Sequence, residues 1–248
     1  PLWNFLIRLF SKRWDTVIVK SEKMLNELKI DVEVIPNGVD TNIFHPVDKA
    51  DARKELKWIS TKKYILFASH PGRPEKNYQL AKDALTELNV EGEVELVTLQ
   101  DIKHEKIVYY LNATDVLLMT SKYEGSPNII KEAMACNCSI VSTNVGDVEW
   151  VVGKTEGCYL ISKNEKLSHR DGKPKIKNLE TELVKETSDK IQEALNFAEN
   201  VGRTKGRERI IELGLDSETV AQKIISIYKK VLNTDNSIDG KAIKEHKE

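Results

Sequence analysis

Two glutamates near the middle of the chain have the chemistry and the spacing to bind hydroxyl groups. Glu124 and Glu132 are eight positions apart in the stretch E-G-S-P-N-I-I-K-E, which follows a predicted strand. An ionised carboxylate only accepts hydrogen bonds, so the pair would hold the hydroxyls of a ribose or a sugar ring and would not bind phosphate. A solvated helix residue and an ordinary turn would look the same in sequence, so this interpretation needs support from elsewhere.

The residues between the two glutamates predict the start of a helix. Ser126 followed by Pro127 is typical of a helix N-terminus, with the hydroxyl as N-cap and the proline at the first helical position. The free N–H groups and the dipole of such a helix attract anions, and a diphosphate would suit them. Gly125 lets the backbone approach a ligand closely. We therefore expect an anion site next to Glu124.

A second loop, at residues 69–77, carries two permanent cations. Arg73 and Lys76 follow another predicted strand and precede another predicted helix. At that position they could neutralise the charge of a departing diphosphate. Considered alone, the loop is equally compatible with a solvated turn. Together, the carboxylates, the helix N-terminus and the basic loop match the parts of a nucleotide-sugar.

A sheet must position these loops, and the sequence predicts seven strands for it. The predicted strands are bounded by turn formers and are almost continuously apolar, which suits parallel strands buried on both faces. Charged amphipathic segments between them predict helices, so the alternation predicts a doubly wound parallel α/β sheet. In such sheets ligands bind beyond the carboxyl ends of the strands. The strands are predicted at 16–20, 32–36, 64–69, 94–99, 115–120, 139–143 and 158–161.

Both ends of the chain depart from this alternation. Residues 1–14 form a short basic amphipathic segment that could lie on an anionic membrane surface or pack against a neighbouring domain, and we favour packing. Residues 162–177 are polar and predict an exposed loop. Helices are predicted at 78–88, 179–200, 204–213 and 217–232, and the tail from Asn233 is predicted to be disordered.

Composition narrows the class of protein further. The net charge of −1 is the sum of 38 basic and 39 acidic side chains, which argues against a dedicated nucleic-acid binder. No apolar run is long enough to span a bilayer, and three cysteines do not form a disulfide framework, so a cytoplasmic setting is the default expectation. Cys136 and Cys138 lack the further ligands of a zinc site and are expected to be buried thiols. Because the chain begins with Pro1, we expect a piece of a longer protein.

The set of motifs resembles that of the retaining glycosyltransferases with the GT-B architecture. The stretch from Glu124 to Glu132 is similar to the E-x7-E motif of that family. Residues 34–46 resemble its inter-domain linker, Gly72 to Lys76 resembles its diphosphate-binding loop, and residues 141–146 with Gly157 resemble the segment after E-x7-E. Each motif is weak alone, but their order and separations agree with the family from about residue 15 to residue 157.

The resemblance implies a role for each motif residue. Glu132 would hold the ribose hydroxyls of the donor, Glu124 would lie near the donor sugar, and Arg73 with Lys76 would stabilise the leaving diphosphate. The donor is expected to be a UDP- or GDP-sugar, with no cofactor and no metal. The family's arginine and lysine are often further apart than these two, so which cation meets which phosphate stays open. Further donor contacts are expected from Gly72, Gln100, Gly125, Ser126, Pro127, Asn128 and Ile129.

The resemblance also implies a domain organisation. Residues 1–36 would be a remnant of an N-terminal acceptor domain, 37–46 the linker, 47–215 the donor-binding domain, 216–232 a return helix and 233–248 a disordered tail. In the family, the N-terminal acceptor domain often supplies a histidine near the reacting carbon. Neither His70 nor His104 lies in a position to replace that histidine. His70 is expected to be a hydrogen-bonded structural residue.

The predicted function is the transfer of a sugar, with retention of anomeric configuration, to a glycan, a lipid-linked glycan or a polysaccharide. The chain would act in the cytoplasm, with possible peripheral contact at the inner face of the membrane through residues 1–14. As an isolated donor-binding portion it is expected to be inactive. The alternative is a catalytically inactive nucleotide-binding or interaction module of the same fold. A phosphate-sugar epimerase would not be expected to carry the glutamate pair.

Overall fold

The computed structural model describes residues 2–162 and 176–245. Among them lie two parallel sheets, one of two strands and one of five. The five-stranded sheet confirms the predicted doubly wound α/β class. The strands are β1 (Ile18–Val19), β2 (Glu33–Val34), β3 (Lys63–Phe67), β4 (Val94–Thr98), β5 (Val116–Met119), β6 (Ser139–Thr143) and β7 (Cys158–Ile161).

Ten α-helices lie among the described residues, and several of them cover both faces of the larger sheet. They are α1 (Leu2–Ser11), α2 (Glu22–Leu28), α3 (Lys49–Glu55), α4 (Tyr78–Thr86), α5 (Ile107–Ala113), α6 (Asn128–Ala135), α7 (Val148–Val152), α8 (Ile176–Asn200), α9 (Gly206–Glu212) and α10 (Ser217–Glu245). Alternate strand residues point to opposite faces: Ile65 packs with α4 and α8, whereas Leu66 packs with α5, α6, α7 and α9. This two-sided burial explains the nearly continuous apolar strands.

The order of the strands fixes where a ligand is expected. The sheet runs β4-β3-β5-β6-β7, so the chain leaves β3 for one side, forms β4, and returns to the other side to form β5. In this topology a crevice is expected at the carboxyl ends of β3 and β5, because their connections leave in opposite directions. In the register of these strands Ile65 is paired with Val116. The loops at residues 68–77 and 120–127 therefore begin side by side.

Residues 2–36 form a smaller layer against α10. The parallel strands β1 and β2 pack through Ile35 onto Val220 and Ile227 of that helix. The following linker is hydrogen-bonded to the beginning of α10: Val39 N–H donates to Leu215 O at 2.8 Å, and Ser217 N–H donates to Val39 O at 2.9 Å. The N-terminal segment and the last helix therefore pack as one unit.

The helix α1 leaves several apolar side chains uncovered. Phe5, Leu9 and Phe10 of the helix, and Trp14 after it, are each at least half exposed. The structure therefore contains the predicted amphipathic helix without a layer over it, and packing against a further domain stays a prediction. Within residues 2–162 and 176–245, no helix has both the length and the apolarity needed to cross a bilayer.

Two predicted features differ from the structure near the C-terminus. The helix α10 continues through Asn233 to Glu245, where the sequence predicted a disordered tail. Adding a residue to an existing helix needs no new nucleation, so a polar segment can extend a helix that packing has already formed. The predicted exposed loop at 162–177 lies for the most part outside the described residues, and α8 begins within it at Ile176.

The cysteines behave as predicted. Cys136 ends α6 and Cys138 precedes β6, and both are buried free thiols. Burial raises the pKa of the Cys138 thiol to about 11. These thiols therefore act as small apolar side chains of the core.

Candidate functional site

The crevice beside β3 and β5 joins the basic loop to the first glutamate. Lys76 Nζ lies 2.5 Å from Glu124 Oε1, and the two side chains are only 16% and 17% exposed. The hydroxyl of Thr120, just after β5, donates to the backbone carbonyls of Lys76 and Asn77 at 2.9 and 3.0 Å. Hydrogen bonds from the β5 end thus fix the single 3₁₀ turn at Pro74–Lys76. The structure places Lys76 and Glu124, predicted from separate motifs, in direct contact.

Arg73 makes a different contact. Its guanidinium lies 2.6 Å from Glu75 Oε1, and its side chain is 56% exposed. The pKa of Glu75 is lowered first by its own backbone N–H and then by the hydrogen bond from Arg73. Lys76 therefore lies within the crevice at rest, whereas Arg73 lies at its surface with a carboxylate partner.

The second glutamate is buried and is paired with a histidine. Glu132 is 6% exposed, and its Oε1 lies 2.9 Å from His104 Nε2. Burial raises the pKa of Glu132, and the hydrogen bond with His104 opposes that rise. The His104 ring packs edge-on against Phe44 at 5.2 Å. Sequence reasoning did not identify His104 as the partner of Glu132, because 28 positions separate them and no local pattern connects them.

The N-terminus of α6 is not built as predicted. The helix begins at Asn128, Pro127 is the N-cap residue, and no side chain caps the first turn. The expectation that Ser126 is the N-cap is therefore wrong. Its hydroxyl instead donates to Asp147 Oδ2 at 2.6 Å and accepts from Lys131 Nζ at 2.5 Å, so it is occupied away from the helix backbone.

The loop that carries Glu124 packs tightly against the loop after β6. Gly146 has a φ of +62°, and a Cβ atom at this position would collide with the carbonyl oxygen of Gly125. On Gly125 itself a Cβ would meet only Met24 Sδ, at 4.0 Å. Gly146 therefore packs against the Gly125 carbonyl, while the side of Gly125 on which a Cβ would stand is open.

The remaining predicted residues lie around this crevice. Gln100 is exposed in the loop that follows β4, next to Asp101 in the left-handed region at φ 54°. Gly72 N–H donates to His70 Nδ1 at 2.9 Å, which agrees with a structural role for His70. A contact that the sequence did not predict links the linker to α6, because Asn37 Nδ2 donates to Asn128 Oδ1 at 3.0 Å.

The segment that supplies most of the candidate site is similar to a known family. Residues 61–169 match the family described as Glycosyl transferases group 1. This match confirms, for that segment, the resemblance to glycosyltransferases inferred from the motifs. The matched segment contains the 3₁₀ turn with Lys76, the loop with Glu124 and the helix with Glu132.

Two curated proteins are similar to this chain at low identity. The N-acetyl-alpha-D-glucosaminyl L-malate synthase of Bacillus anthracis is 22% identical, over 96% of this chain and 65% of that protein. The MMP alpha-(1->4)-mannosyltransferase of Mycolicibacterium hassiacum is 25% identical, over 81% of this chain and 49% of that protein. The chain thus spans between about half and two thirds of the length of these relatives.

Solved structures share the fold. The sucrose-phosphate synthase of Thermosynechococcus elongatus superposes with a TM-score of 0.68 at 20% identity, covering 93% of this chain and 62% of that one. Anabaena HepE, solved in complex with UDP-glucose, gives 0.58 at 16% identity, covering 92% of this chain and 67% of that one. These likenesses confirm the α/β fold class of this chain.

Proposed function

We propose that the chain binds a nucleoside-diphosphate sugar and forms the donor-binding part of a glycosyltransferase that retains anomeric configuration. The observation that carries the proposal is the meeting of three features at one crevice of the sheet. These are the Lys76–Glu124 ion pair, the buried Glu132 and the uncapped N-terminus of α6. The group 1 family match supports the same class of activity.

The diphosphate would bind at the first turn of α6. The first N–H groups of a helix have no intrahelical partner, and no side chain caps them here. A phosphate oxygen would therefore gain hydrogen bonds and the favourable end of the helix dipole. Lys76 lies across the crevice and would add a point charge to the same phosphates. Arg73 is exposed enough to exchange Glu75 for a phosphate.

The two glutamates would bind the hydroxyls at either end of the donor. Glu132 would hold the ribose diol, with His104 fixing the position of the carboxylate. Glu124 Oε1, which lies 2.5 Å from Lys76 Nζ, would accept a hydrogen bond from a hydroxyl of the transferred sugar, while the lysine turns to the phosphate. The separation of the two glutamates would thus match the distance between the transferred sugar and the ribose.

The same groups would assist the chemical step. Transfer breaks the bond between the anomeric carbon and the phosphate oxygen and forms one from that carbon to an acceptor hydroxyl oxygen on the same face, while the hydroxyl proton passes to the leaving diphosphate. Negative charge grows on the diphosphate as its bond breaks, and Lys76, Arg73 and the α6 dipole would stabilise it. We expect these cations to make a metal unnecessary. The acceptor, a glycan or lipid-linked glycan, would bind with the help of a preceding domain.

Calorimetric titration tests donor binding with UDP, GDP, uridine and guanosine as probes. We expect one of the two diphosphates to bind, Glu132→Gln to weaken both that nucleotide and its nucleoside, and Lys76→Met to weaken the diphosphate about tenfold while leaving the nucleoside unchanged. Lys62→Met is the matched control, since Lys62 is similarly buried but pairs with Glu93 and Glu95 at the opposite, amino-terminal ends of β3 and β4. Flat titrations with both diphosphates would indicate an interaction module and sink the proposal.

A further inference from the structure

A buried lysine near the start of α6 has no direct place in the donor site. Lys131 is completely buried, which is rare for a lysine. Its Nζ lies 2.5 Å from Ser126 Oγ and 3.5 Å from Asp147 Oδ2. Burial lowers the pKa of Lys131, and the charge of Asp147 opposes this. The three side chains form one closed network between α6 and the loop that precedes α7.

Stability alone does not account for this network. Taking two charges out of water costs about as much as their attraction returns, and apolar replacements of buried ion pairs are often neutral or stabilising. Asp147 adds a further cost, since its Oδ1 is buried with no hydrogen-bond partner among the described residues. Because the Lys131–Asp147 pair adds so little net stability, we look for its role in fixing the conformation of a neighbouring group.

The conformation that the network fixes is that of the Ser126 hydroxyl. The sequence places Ser126 where a serine normally caps a helix, yet Asp147 and Lys131 occupy its hydroxyl. As a result α6 has no side-chain cap. The network also cross-links the loops whose backbones meet at Gly125 and Gly146. It therefore leaves the first-turn N–H groups available and fixes their direction.

We propose that Lys131 and Asp147 are positioning residues of the donor site, which hold the Ser126 hydroxyl away from α6 so that a diphosphate can bind the helix N-terminus. The inference rests on the proposed function. When the network is lost, Ser126 becomes the N-cap, and its oxygen takes the N–H groups of Asn128 and Ile129. The diphosphate then competes with a hydroxyl of the protein itself.

The test replaces the ion pair without leaving a buried charge. In Lys131→Met/Asp147→Leu we expect a folded protein of similar melting temperature, about tenfold weaker binding of the diphosphate that the parent binds, and unchanged binding of the matching nucleoside, uridine or guanosine. Adding Ser126→Ala removes the competing hydroxyl and should restore diphosphate affinity to within about threefold of the parent. The control is Arg53→Met, which breaks a buried ion pair with Asp115 before β5 and should lower stability without altering the ratio of diphosphate to nucleoside affinity.

Amide hydrogen exchange gives a readout that needs no nucleotide. The N–H groups of Asn128 and Ile129 should exchange more slowly in the double variant than in the parent, and the slowing should disappear when Ser126→Ala is added. Parental diphosphate affinity in the double variant, or no recovery in the triple variant, overturns the inference and leaves the proposed function standing. A parent that binds neither UDP nor GDP overturns both.

Discussion

At the scale of residues, Lys76, Glu124 and Glu132 of the candidate site each have a partner from another segment of the chain, whereas Arg73 is paired with Glu75 within its own loop. Lys76 is paired with Glu124, and Glu132 is hydrogen-bonded to His104. Binding of a donor would exchange these partners for phosphate and hydroxyl groups, so little charge would be exposed in either state. Glu132 carries a cost, because a carboxylate that is 6% exposed ionises against the penalty of burial.

This cost predicts how stability depends on pH. Burial raises the pKa of Glu132 above its ordinary value of 4.5. A raised pKa in the folded state means that the group's stabilising contribution is full below its unfolded-state pKa and is lost as the pH rises through the folded-state value. The neutral variant Glu132→Gln should therefore melt at a higher temperature than the parent at about pH 7.5, and the difference should vanish at about pH 4. Circular dichroism melts across this range test it, and a constant difference would contradict it.

At the scale of elements, the sequence predicted what is encoded locally and missed what depends on distant partners. The strands β6 and β7 were predicted with their observed bounds, since a buried parallel strand is one short apolar run between turn formers. The N-cap of α6 was misplaced because Asp147, 21 positions away, takes the Ser126 hydroxyl. The partners of Lys76 and Glu132 likewise come from loops that only the strand order brings together.

The contact between the two loops predicts the effect of one added methyl group. Gly146→Ala would place Cβ against the Gly125 carbonyl and also impose a positive φ on alanine, so we expect a stability loss of about 2–4 kcal/mol and weaker UDP or GDP binding. Gly202→Ala is the control, because Gly202 also has a positive φ but has open space around it. It should cost only about 1 kcal/mol and leave nucleotide binding intact. Equal losses in denaturant melts would show that the loop contact contributes nothing.

At the scale of the whole molecule, the linker connects three parts of the chain. Asn37 is hydrogen-bonded to Asn128 at the start of α6, and Val39 is bridged to Asp216 at the start of α10. The segment before the linker packs on α10. One short stretch therefore connects the N-terminal layer, α6 and α10.

The close approach at Gly38 tests whether this junction is a separate unit of stability. A Cβ on Gly38 would lie 2.9 Å from Ser217 Cα, a backbone atom that cannot turn aside. Gly38→Ala should therefore push the linker from α10, at a cost of about 1–3 kcal/mol. Amide exchange should accelerate at Val39 and Ser217, which donate the two hydrogen bonds of the junction, while amides of β3, β5 and β6 keep their protection. Because the crevice is built on those strands, binding of UDP or GDP should persist; uniform acceleration across the sheet would show that junction and sheet unfold as one unit.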